Sequence, residues 1–322
     1  MRRLVLLGFV TASIMASALP VAGLDSVRIH LKWLHSAQFA GLYAAAVNGF
    51  FEEVGLDVEL IDGAASEDVL MALADGAYDF VLADPSRHLA LVGQGVSNVA
   101  AAAVFQIDPV VVFALSESGI RRPEDLFGKR VMSFPTSYVI PAILARVGLS
   151  VEDVLLGPPS YDLNELYSGA YDAWSGYVTN EVRHARADGH DIAVIYPTDY
   201  GVHAYGDVLI ARRDLVETDP EMVQRVVTAL IDGWGWVLEH PDEGATMALQ
   251  WEPSLDPAEQ REILELSLPF IHAGDVGLGG MTHAKWSAMS EMMVRAGLLA
   301  PSFDATAAYT LEFVEPVRQE AP

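Results

Sequence analysis

Aromatic and polar side chains are concentrated in one short stretch of the chain, residues 32–41. Trp33 and Phe39 provide flat apolar surfaces there, and His35 and Gln38 provide hydrogen-bond donors and acceptors. This combination suits the binding of a planar heteroaromatic ring. The alternative is that the two aromatic side chains belong to the core and that Gln38 caps the next helix.

The densest cluster of polar and aromatic residues is the segment 172–181, which offers Tyr177, Asn180 and Glu181 together. The segment runs from a β-type sequence through a glycine into a helical sequence. A carboxylate beside an aromatic ring can accept paired hydrogen bonds from the edge of an aminopyrimidine. We therefore expect these three residues to bind a ligand, although acidic residues in so acidic a chain also commonly form a solvated face.

Three further residues lie next to predicted strands. Asp84 follows the third strand, where it could accept from an amino group or ring N–H of a ligand, or could cap the following helix. Tyr205 and Asp207 lie just before the last predicted strand, where they could line a cleft or make the turn. All three are included in the predicted ligand-binding set.

The sequence contains no recognisable catalytic or cofactor motif. Nine histidines are scattered without metal-ligand spacing, and GxSxG, HExxH, Walker and strand-linked GxGxxG patterns are absent. Without cysteine there can be no disulfide, thiolate nucleophile, iron–sulfur cluster or lipid-anchoring thiol. We therefore predict a protein that is not an enzyme, with no catalytic residue, no metal and no cofactor.

The elements that must position these residues begin at Val27, where short β-type sequences alternate with helical ones. This order predicts βαβαβ, which is typical of a parallel sheet with helices on both faces. The predicted strands are 27–31, 56–61 and 78–83, and the predicted helices are 41–51 and 67–75.

A second alternating series begins near Val110 and is followed by a helical C-terminal segment. The helix at 220–240 carries apolar residues at three- and four-residue steps, which indicates one buried face. The predicted strands are 110–114, 130–133, 172–175, 192–196 and 208–212, and the predicted helices are 123–127, 138–147, 163–169, 179–188, 220–240, 257–270 and 282–296.

The arrangement predicts two lobes, because no linker separates the two series and the helical segment needs a sheet to pack on. Lobe I comprises residues 24–110 and 206–322, and lobe II comprises residues 111–205. Two chain crossings would then form a hinge, and the cleft between the lobes is the natural place for a small ligand. Open parallel sheets bind ligands beyond the carboxyl ends of their strands, where the stretches described above lie.

The first residues resemble a secretory signal. Arg2 and Arg3 precede an apolar run that ends near Pro20, and small residues follow. The run is too short to span a bilayer, which needs about 20 apolar residues. We predict a signal peptide at residues 1–23 and a free periplasmic protein, without a lipid anchor.

The composition excludes several partners. Asp and Glu number 44 against 19 Lys and Arg, which gives a formal charge of −25. Such a field repels nucleic acid and anionic lipid. Because lysine occurs only three times, the chain has little to neutralise a multiply phosphorylated ligand. We expect a monomer that binds a neutral or weakly charged small molecule and no nucleic acid.

Five segments carry a resemblance to a known family. They are LKWLHSAQFAGLYAA (31–45), GFFEEVGLDVEL (49–60), SGIRRPEDLFGKRVM (118–132), DAWSGYVTNE (172–181) and YGVHAYGDVL (200–209). The chain resembles the periplasmic solute-binding proteins that include thiamine-pyrimidine-precursor-binding, riboflavin-binding and sulfonate-binding members, together with the fungal thiamine pyrimidine synthase.

The resemblance implies an α/β, two-lobe periplasmic-binding-protein fold, each lobe a mostly parallel sheet flanked by helices, with a helical C-terminal segment. It implies delivery of a heterocyclic ligand to the permease and ATPase of an ABC importer. On matching positions, Trp33, Tyr177, Asn180 and Glu181 look like the residues that hold the ring.

The chain departs from the synthase. That enzyme uses a histidine after the third strand, where this sequence has Arg87 with His88 beside it, and a cysteine cluster where this sequence has His203, Ala204 and Tyr205. We therefore expect a thiamine pyrimidine precursor such as formylaminopyrimidine to be bound and released unchanged. The alternatives are a riboflavin- or alkanesulfonate-binding protein, a pyrimidine synthase-like enzyme, and a ligand-sensing partner of a membrane receptor.

Overall fold

The structure is a computed structural model that describes residues 23–63, 68–134, 137–272 and 276–314. The predicted signal peptide at residues 1–23 lies, apart from Gly23, outside these ranges. Among the helices within them, none is both long enough and apolar enough to cross a membrane.

Strands within these ranges form two five-stranded sheets. The strands are β1 (Asp25–His30), β2 (Leu56–Ile61), β3 (Phe80–Ala83), β4 (Asn98–Ala103), β5 (Val110–Leu115), β6 (Arg130–Met132), β7 (Leu155–Gly157), β8 (Ala173–Tyr177), β9 (Ile192–Ile195) and β10 (Val208–Arg212).

The first sheet has the order β2-β1-β3-β10-β4 and the second has the order β7-β6-β8-β5-β9. In the first sheet β1 runs parallel to β2 and β3, and only β10 is antiparallel to its neighbours. In the second sheet β6 runs parallel to β7 and β8, and β5 is antiparallel to β8 and β9. Both sheets are therefore mixed: in each, four strands run in one direction and one strand, β10 or β5, runs against them.

Helices flank both sheets. The α-helices are α1 (Ala40–Val47), α2 (Phe50–Glu53), α3 (Val69–Ala74), α4 (Pro85–Gly93), α5 (Val139–Arg146), α6 (Asn164–Tyr167), α7 (Glu181–Ala187), α8 (Arg213–Thr218), α9 (Pro220–Glu239), α10 (Pro241–Thr246), α11 (Pro257–Ile271) and α12 (His283–Arg295). Short 3₁₀ helices lie at Ala37–Phe39, Ser116–Ser118, Pro123–Leu126, Val151–Asp153, Pro197–Tyr200, Met247–Gln250 and Ala305–Ala308.

The long helix α9 shows how the sequence specifies a buried element. Asp219 caps it by accepting from the Met222 N–H at 3.0 Å, and Pro220 occupies its first turn. Its apolar face is buried against the first sheet and α1. Gly233 allows close contact with α1, because a Cβ there would lie 2.1 Å from the Gly41 carbonyl oxygen.

The chain passes between the sheets twice, at residues 104–109 and 204–207, and the two passages are hydrogen-bonded to each other. Asp108 N–H donates to the Ala204 carbonyl at 3.1 Å, and Gly206 N–H donates to the Phe105 carbonyl at 3.0 Å. Behind these passages, α12 packs against α4 of the first lobe and α5 of the second. These passages connect the lobes at the position where the sequence predicts a hinge, and this region is called the hinge below.

These sheets confirm the predicted α/β fold class with two lobes and helical C-terminal segment. Two strands were not predicted: the edge strands β4 and β7. β4 consists mostly of alanine, which has low strand propensity, but its six residues are all buried. Small side chains suit it because helix α9 and the C-terminal segment pack closely over it.

Candidate ligand-binding site

A cavity of about 530 Å3 lies between the lobes, at the carboxyl ends of β1, β3, β6 and β8. Its size is within the range of small-molecule sites, roughly 300–1,000 Å3. Residues of the first lobe that line it include Lys32, Trp33, Gln38, Asp84 and Arg87; residues of the second lobe include Phe134, Ser137, Tyr161, Tyr177, Asn180 and Glu181.

A buried network beneath the cavity connects the two lobes. The Asp207 carboxylate, which has no exposed surface, accepts from Lys32 Nζ at 2.8 Å, Gln38 Nε2 at 2.5 Å and Tyr177 Oη at 3.0 Å. Lys32 also donates to the Tyr177 hydroxyl and lies over its ring, 4.7 Å from the centroid. A lysine and a tyrosine from opposite lobes are thus held by one carboxylate from the hinge.

The charge of Lys32 is maintained by its acidic neighbours. Burial acts to lower the pKa of Lys32, but the carboxylates of Asp207 and Asp84 outweigh that effect and raise it above its ordinary value. The same surroundings hold Tyr177 in its neutral form: burial, followed by Asp207 and Asp108, raises the pKa of its hydroxyl well above the ordinary value. Lys32 is therefore a charged donor already bound to protein groups.

Asp84 serves the structure and lines the cavity at the same time. One carboxylate oxygen caps α4, accepting from the N–H groups of Ser86 at 2.8 Å and Arg87 at 2.9 Å. The other oxygen lies 3.9 Å from Lys32 Nζ. Both sequence interpretations of Asp84, helix cap and cleft residue, therefore describe its position.

Glu181 begins α7, and its carboxylate is directed back toward β8. Oε2 accepts from the Tyr177 N–H at 2.7 Å, and Oε1 accepts from Asn180 Nδ2 at 3.3 Å. Gly176 leaves room for this carboxylate, because a Cβ there would lie 2.9 Å from Oε2. Burial raises the pKa of Glu181, and the hydrogen bonds offset part of that effect. Each oxygen keeps acceptor capacity for a ligand donor.

Three aromatic rings form a row along one wall of the cavity. The ring centroids of Trp33 and Tyr161 are 5.2 Å apart, and those of Tyr161 and Phe134 are 5.4 Å apart. Trp33 belongs to the first lobe, whereas Phe134 and Tyr161 belong to the second. These rings offer apolar faces on which a planar ligand can stack.

The lining is acidic, and its cations are paired. Among the described lining residues, the acidic side chains are Asp68, Asp84 and Glu181 and the basic ones are Lys32 and Arg87. Arg87 forms an ion pair with Asp68, and Lys32 is paired with Asp207. The cavity consequently has no cation in its described lining that lacks an acidic partner.

The structure brings together most of the residues predicted from sequence. Trp33, Gln38, Asp84, Tyr177, Asn180 and Glu181 all line the cavity. Asp207 lies directly beneath it, in contact with three of the lining side chains.

Tyr205 is placed differently: it is fully buried and does not line the cavity. Its hydroxyl accepts from the Thr282 N–H at 2.9 Å, and its ring lies under Lys285 Nζ, 4.3 Å from the centroid. The physical reason is that α12 covers this side of the hinge. Tyr205 therefore lies inside the connection between the lobes, packed against α12.

Lys32, Phe134 and Tyr161 line the cavity but were not among the predicted site residues. The first two follow strands β1 and β6 within two residues, so the rule that selected Trp33 and Asp84 could also have selected them. Tyr161 lies between β7 and α6, and no strand end or motif in the sequence marks it.

The comparisons with known proteins agree with this architecture. The profile of the family described as NMT1/THI5 like matches residues 36–244. A formylaminopyrimidine-binding protein from Halalkalibacterium halodurans is 29% identical over 255 residues, which cover 77% of each chain. The riboflavin-binding protein RibY from Chloroflexus aurantiacus is 27% identical over 306 residues, covering 90% of this chain and 86% of RibY.

Among solved structures, the alkanesulfonate-binding protein SsuA from Xanthomonas axonopodis pv. citri, bound to MOPS, superposes with a TM-score of 0.71. It is 18% identical, and the match covers 90% of this chain and 99% of SsuA. At that identity the similarity concerns the fold, which is that of periplasmic binding proteins.

Proposed function

The chain belongs to the NMT1/THI5-like family, and from this premise we propose that it is the exported substrate-binding component of an ABC importer. The observation that carries the proposal is the cavity between the lobes, with aromatic rings along one wall and the Lys32–Asp207–Tyr177 network beneath it. Binding proteins of this design capture a ligand by closing two lobes around it. Its partners are the permease and the ATPase of the importer, and it acts as a periplasmic monomer.

The ligand that we propose is a planar nitrogen heterocycle, a thiamine pyrimidine precursor such as formylaminopyrimidine. The relative from Halalkalibacterium halodurans is named for that ligand. In this chain, the rings of Trp33, Tyr161 and Phe134 offer faces for stacking, and the Glu181 carboxylate can accept from an amino group.

The charges of the cavity argue against an alkanesulfonate. A sulfonate needs donors or cations that are free to bind it, but Lys32 and Arg87 are paired with Asp207 and Asp68. Glu181 and Asp84 would repel an anion in the same space. A neutral or amine-bearing ring avoids both costs.

Riboflavin is the second candidate, because RibY is 27% identical and an isoalloxazine ring could stack on the same aromatic wall. A pyrimidine synthase is less consistent with the side chains. His88, the histidine near the position that the synthase uses, is fully buried, and its Nε2 is hydrogen-bonded at 2.7 Å to the Ala308 carbonyl. Burial lowers the pKa of His88 to about 4, and the chain contains no cysteine.

The test starts from the ligand that copurifies with the protein. Mass spectrometry of the denatured protein should identify an aminopyrimidine, and calorimetry with formylaminopyrimidine should give saturable binding. At 100 times its dissociation constant a ligand should stabilise the protein by about 2.7 kcal/mol, which a thermal-shift measurement detects. Solution scattering should show a smaller radius of gyration with the ligand bound.

Other outcomes would contradict the proposal in distinct ways. A yellow chromophore in the copurified material would assign riboflavin. Product formation from pyridoxal phosphate and iron would assign the synthase. Failure of any heterocycle to bind or to compact the protein would reject a role in heterocycle capture, and a gene neighbourhood with a receptor kinase and no permease would favour ligand sensing.

A further inference from the structure

A second set of charged contacts between the lobes lies outside the cavity, around Arg183. This arginine is on α7 of the second lobe, and only 5% of its side chain is exposed. The neighbouring residues Val182 and Ala185 pack into the core of the second sheet, so α7 belongs firmly to that lobe. A charge buried to this extent requires acceptors.

The acceptors of Arg183 come from the other lobe. Its Nη2 is bonded to Glu259, and its Nη1 lies 3.4 Å from Glu262 Oε2. His184, next to it on α7, has its Nε2 3.1 Å from Glu259 Oε1. Within the described residues, the guanidinium group has no acceptor from the second lobe, and its Nε has no partner at all.

Both helices of this ion cluster also hold parts of the cavity. α7 begins at Glu181, two residues before Arg183. α11 belongs to the first lobe, since Ile263, Leu264 and Ile271 lie in the core over the first sheet. On α11, next to Glu259, the buried Gln260 accepts from the Ala37 N–H at 2.8 Å and so holds the segment that carries Gln38.

We propose that Arg183 is a positioning residue for ligand capture: its ion cluster with Glu259 and Glu262 locks α7 to α11 when the lobes close, and so fixes the two cavity segments relative to each other. The proposal rests on the proposed function, because it assumes that the lobes close on a ligand. Arg183 touches no ligand; it acts through the population of the closed form.

The location of the cluster makes it sensitive to closure. The other end of α11 lies at the hinge, where the Phe270 carbonyl accepts from the Ile107 N–H at 3.0 Å. Glu259 and Phe270 are eleven residues apart, which is about 16 Å along a helix. Because the cluster lies far from the hinge, a small rotation at the hinge is enough to separate Arg183 from Glu259 and Glu262.

The cluster should also affect ligand affinity. Apparent affinity scales with the fraction of molecules that are in the binding-competent form, so loss of the cluster should weaken binding without changing any ligand contact.

The variant Arg183→Met tests this with little risk to folding. Methionine retains the apolar volume of the side chain, and the two acceptors do not become buried unpaired charges because Glu259 is 33% and Glu262 55% exposed. The matched control is Arg130→Met, which removes an ion pair with Asp172 that lies entirely within the second lobe, at 2.9 Å.

Distance measurements between labels on the two lobes give the readout. The chain has no cysteine, so Ser254→Cys before α11 and Ala187→Cys at the end of α7 allow specific spin labelling. In the ligand-free protein, we expect Arg183→Met to lower the ratio of molecules with a short label distance to molecules with a long one about tenfold. Arg130→Met should leave this ratio unchanged. Calorimetry with formylaminopyrimidine should show a similar loss of affinity. The double variant with Glu259→Gln should lose little more than Arg183→Met alone.

Identical label distances in the parent and Arg183→Met would overturn the proposal, as would an equal shift in Arg130→Met. If circular dichroism shows that Arg183→Met does not fold, Glu259→Gln with Glu262→Gln replaces it. The glutamine oxygens can still accept from the buried guanidinium, but the attraction between opposite charges is lost, so a shift of the label distances in the same direction is expected. If formylaminopyrimidine does not bind the parent, the proposed ligand fails, whereas the label distances still decide the role of Arg183.

Discussion

Asp207 organises the site at the scale of single residues. It lies immediately before β10, has no exposed surface, and receives hydrogen bonds from Lys32, Gln38 and Tyr177. A buried carboxylate is stable only when its acceptor capacity is filled in this way. Because its donors come from both lobes, Asp207 helps to set the separation of the lobes at the base of the cavity.

The predicted role of Glu181 can be tested with the substitution Glu181→Gln. The amide replaces one acceptor oxygen with a donor, which would face the ligand amino group or the Tyr177 N–H. We expect the affinity for formylaminopyrimidine to fall about 10- to 100-fold, since a buried donor is left unpaired. An analogue without the ring amino group should lose much less.

Calorimetry with both compounds provides the measurement, and Glu265→Gln, on the exposed side of α11, is the control that should change neither affinity. Equal losses for the two compounds would show that Glu181 does not bind the amino group.

Asp108, in the hinge, gives the stability of the fold a pH dependence. Burial, followed by repulsion from Asp84, raises the pKa of Asp108 to about 7, although it accepts from Tyr138 Oη at 2.6 Å. In the unfolded chain an aspartate titrates near about 3.9. Between these two values the folded state holds a proton that the unfolded state has lost, so this carboxyl group lowers the free energy of unfolding as the pH rises.

We therefore expect the stability of Asp108→Asn, measured relative to the parent, to rise as the pH increases from 5 to 7 and then to level off. The change can reach about 1.4 kcal/mol per pH unit. Chemical denaturation across this range measures it. Asp125→Asn is the control: hydrogen bonding to Arg121 lowers the pKa of Asp125, so its stability difference from the parent should stay constant above pH 5. A constant difference for Asp108→Asn as well would contradict the assignment.

Cavity residues could be predicted from the sequence where they follow a strand and have an aromatic, acidic or amide side chain. Trp33, Asp84 and Glu181 were accessible to this reasoning because parallel strands direct their carboxyl ends to one edge. Tyr161 was not, since its approach to Trp33 depends on how the two lobes meet. Tyr205 was predicted to bind ligand but is covered by α12, a helix from a distant part of the chain, and such a tertiary contact is also not visible in the local sequence.

At the scale of elements, α1 and α9 pack closely through glycine residues. A Cβ at Gly233 would lie 2.1 Å from the Gly41 carbonyl oxygen and 3.0 Å from Ala45. Both residues are part of the buried helix α1, so their atoms cannot move aside without a shift of the whole helix. Gly235, two residues further along α9, has nothing within 4 Å of the same position.

This difference gives a matched pair of substitutions. Gly233→Ala should destabilise the protein by about 1–3 kcal/mol, because α1 and α9 must separate. Gly235→Ala should stabilise it by roughly 0.5–1 kcal/mol, because alanine has the higher helix propensity. Urea denaturation of both variants is the measurement, and similar values for the two would show that the helices can adjust to the added methyl group.

Most element boundaries could be predicted because the local signals agree with the tertiary structure. β2 and β10 match the predicted ranges 56–61 and 208–212, and α9 ends one residue before the predicted limit. β4 was not predicted because alanine has low strand propensity. Its alanines fit here because other elements pack closely over the sheet and leave room only for small side chains. Burial in the final fold, which local sequence does not encode, decided its conformation.

At the scale of the whole molecule, the hinge is narrow because the two crossings are hydrogen-bonded to each other. Contacts at the base of the cavity and the Arg183 cluster join the lobes through side chains, whereas α12 packs against α4 of the first lobe and α5 of the second. The lobe boundaries at residues 110 and 206 stay a prediction. β5 to β9 form one sheet and β10 returns to the other, and Val110, which the prediction assigns to lobe I, is the first residue of β5.

The position of β10 also constrains the order in which the chain can acquire its structure. β10 lies between β3 and β4, but every strand of the second lobe precedes it in the sequence. As the polypeptide leaves the ribosome or a translocation channel, the second sheet can assemble as soon as β9 has emerged, while the first sheet still lacks the strand that joins β3 to β4. The first sheet is therefore completed last, and it stays incomplete while residues 104–207 are synthesised.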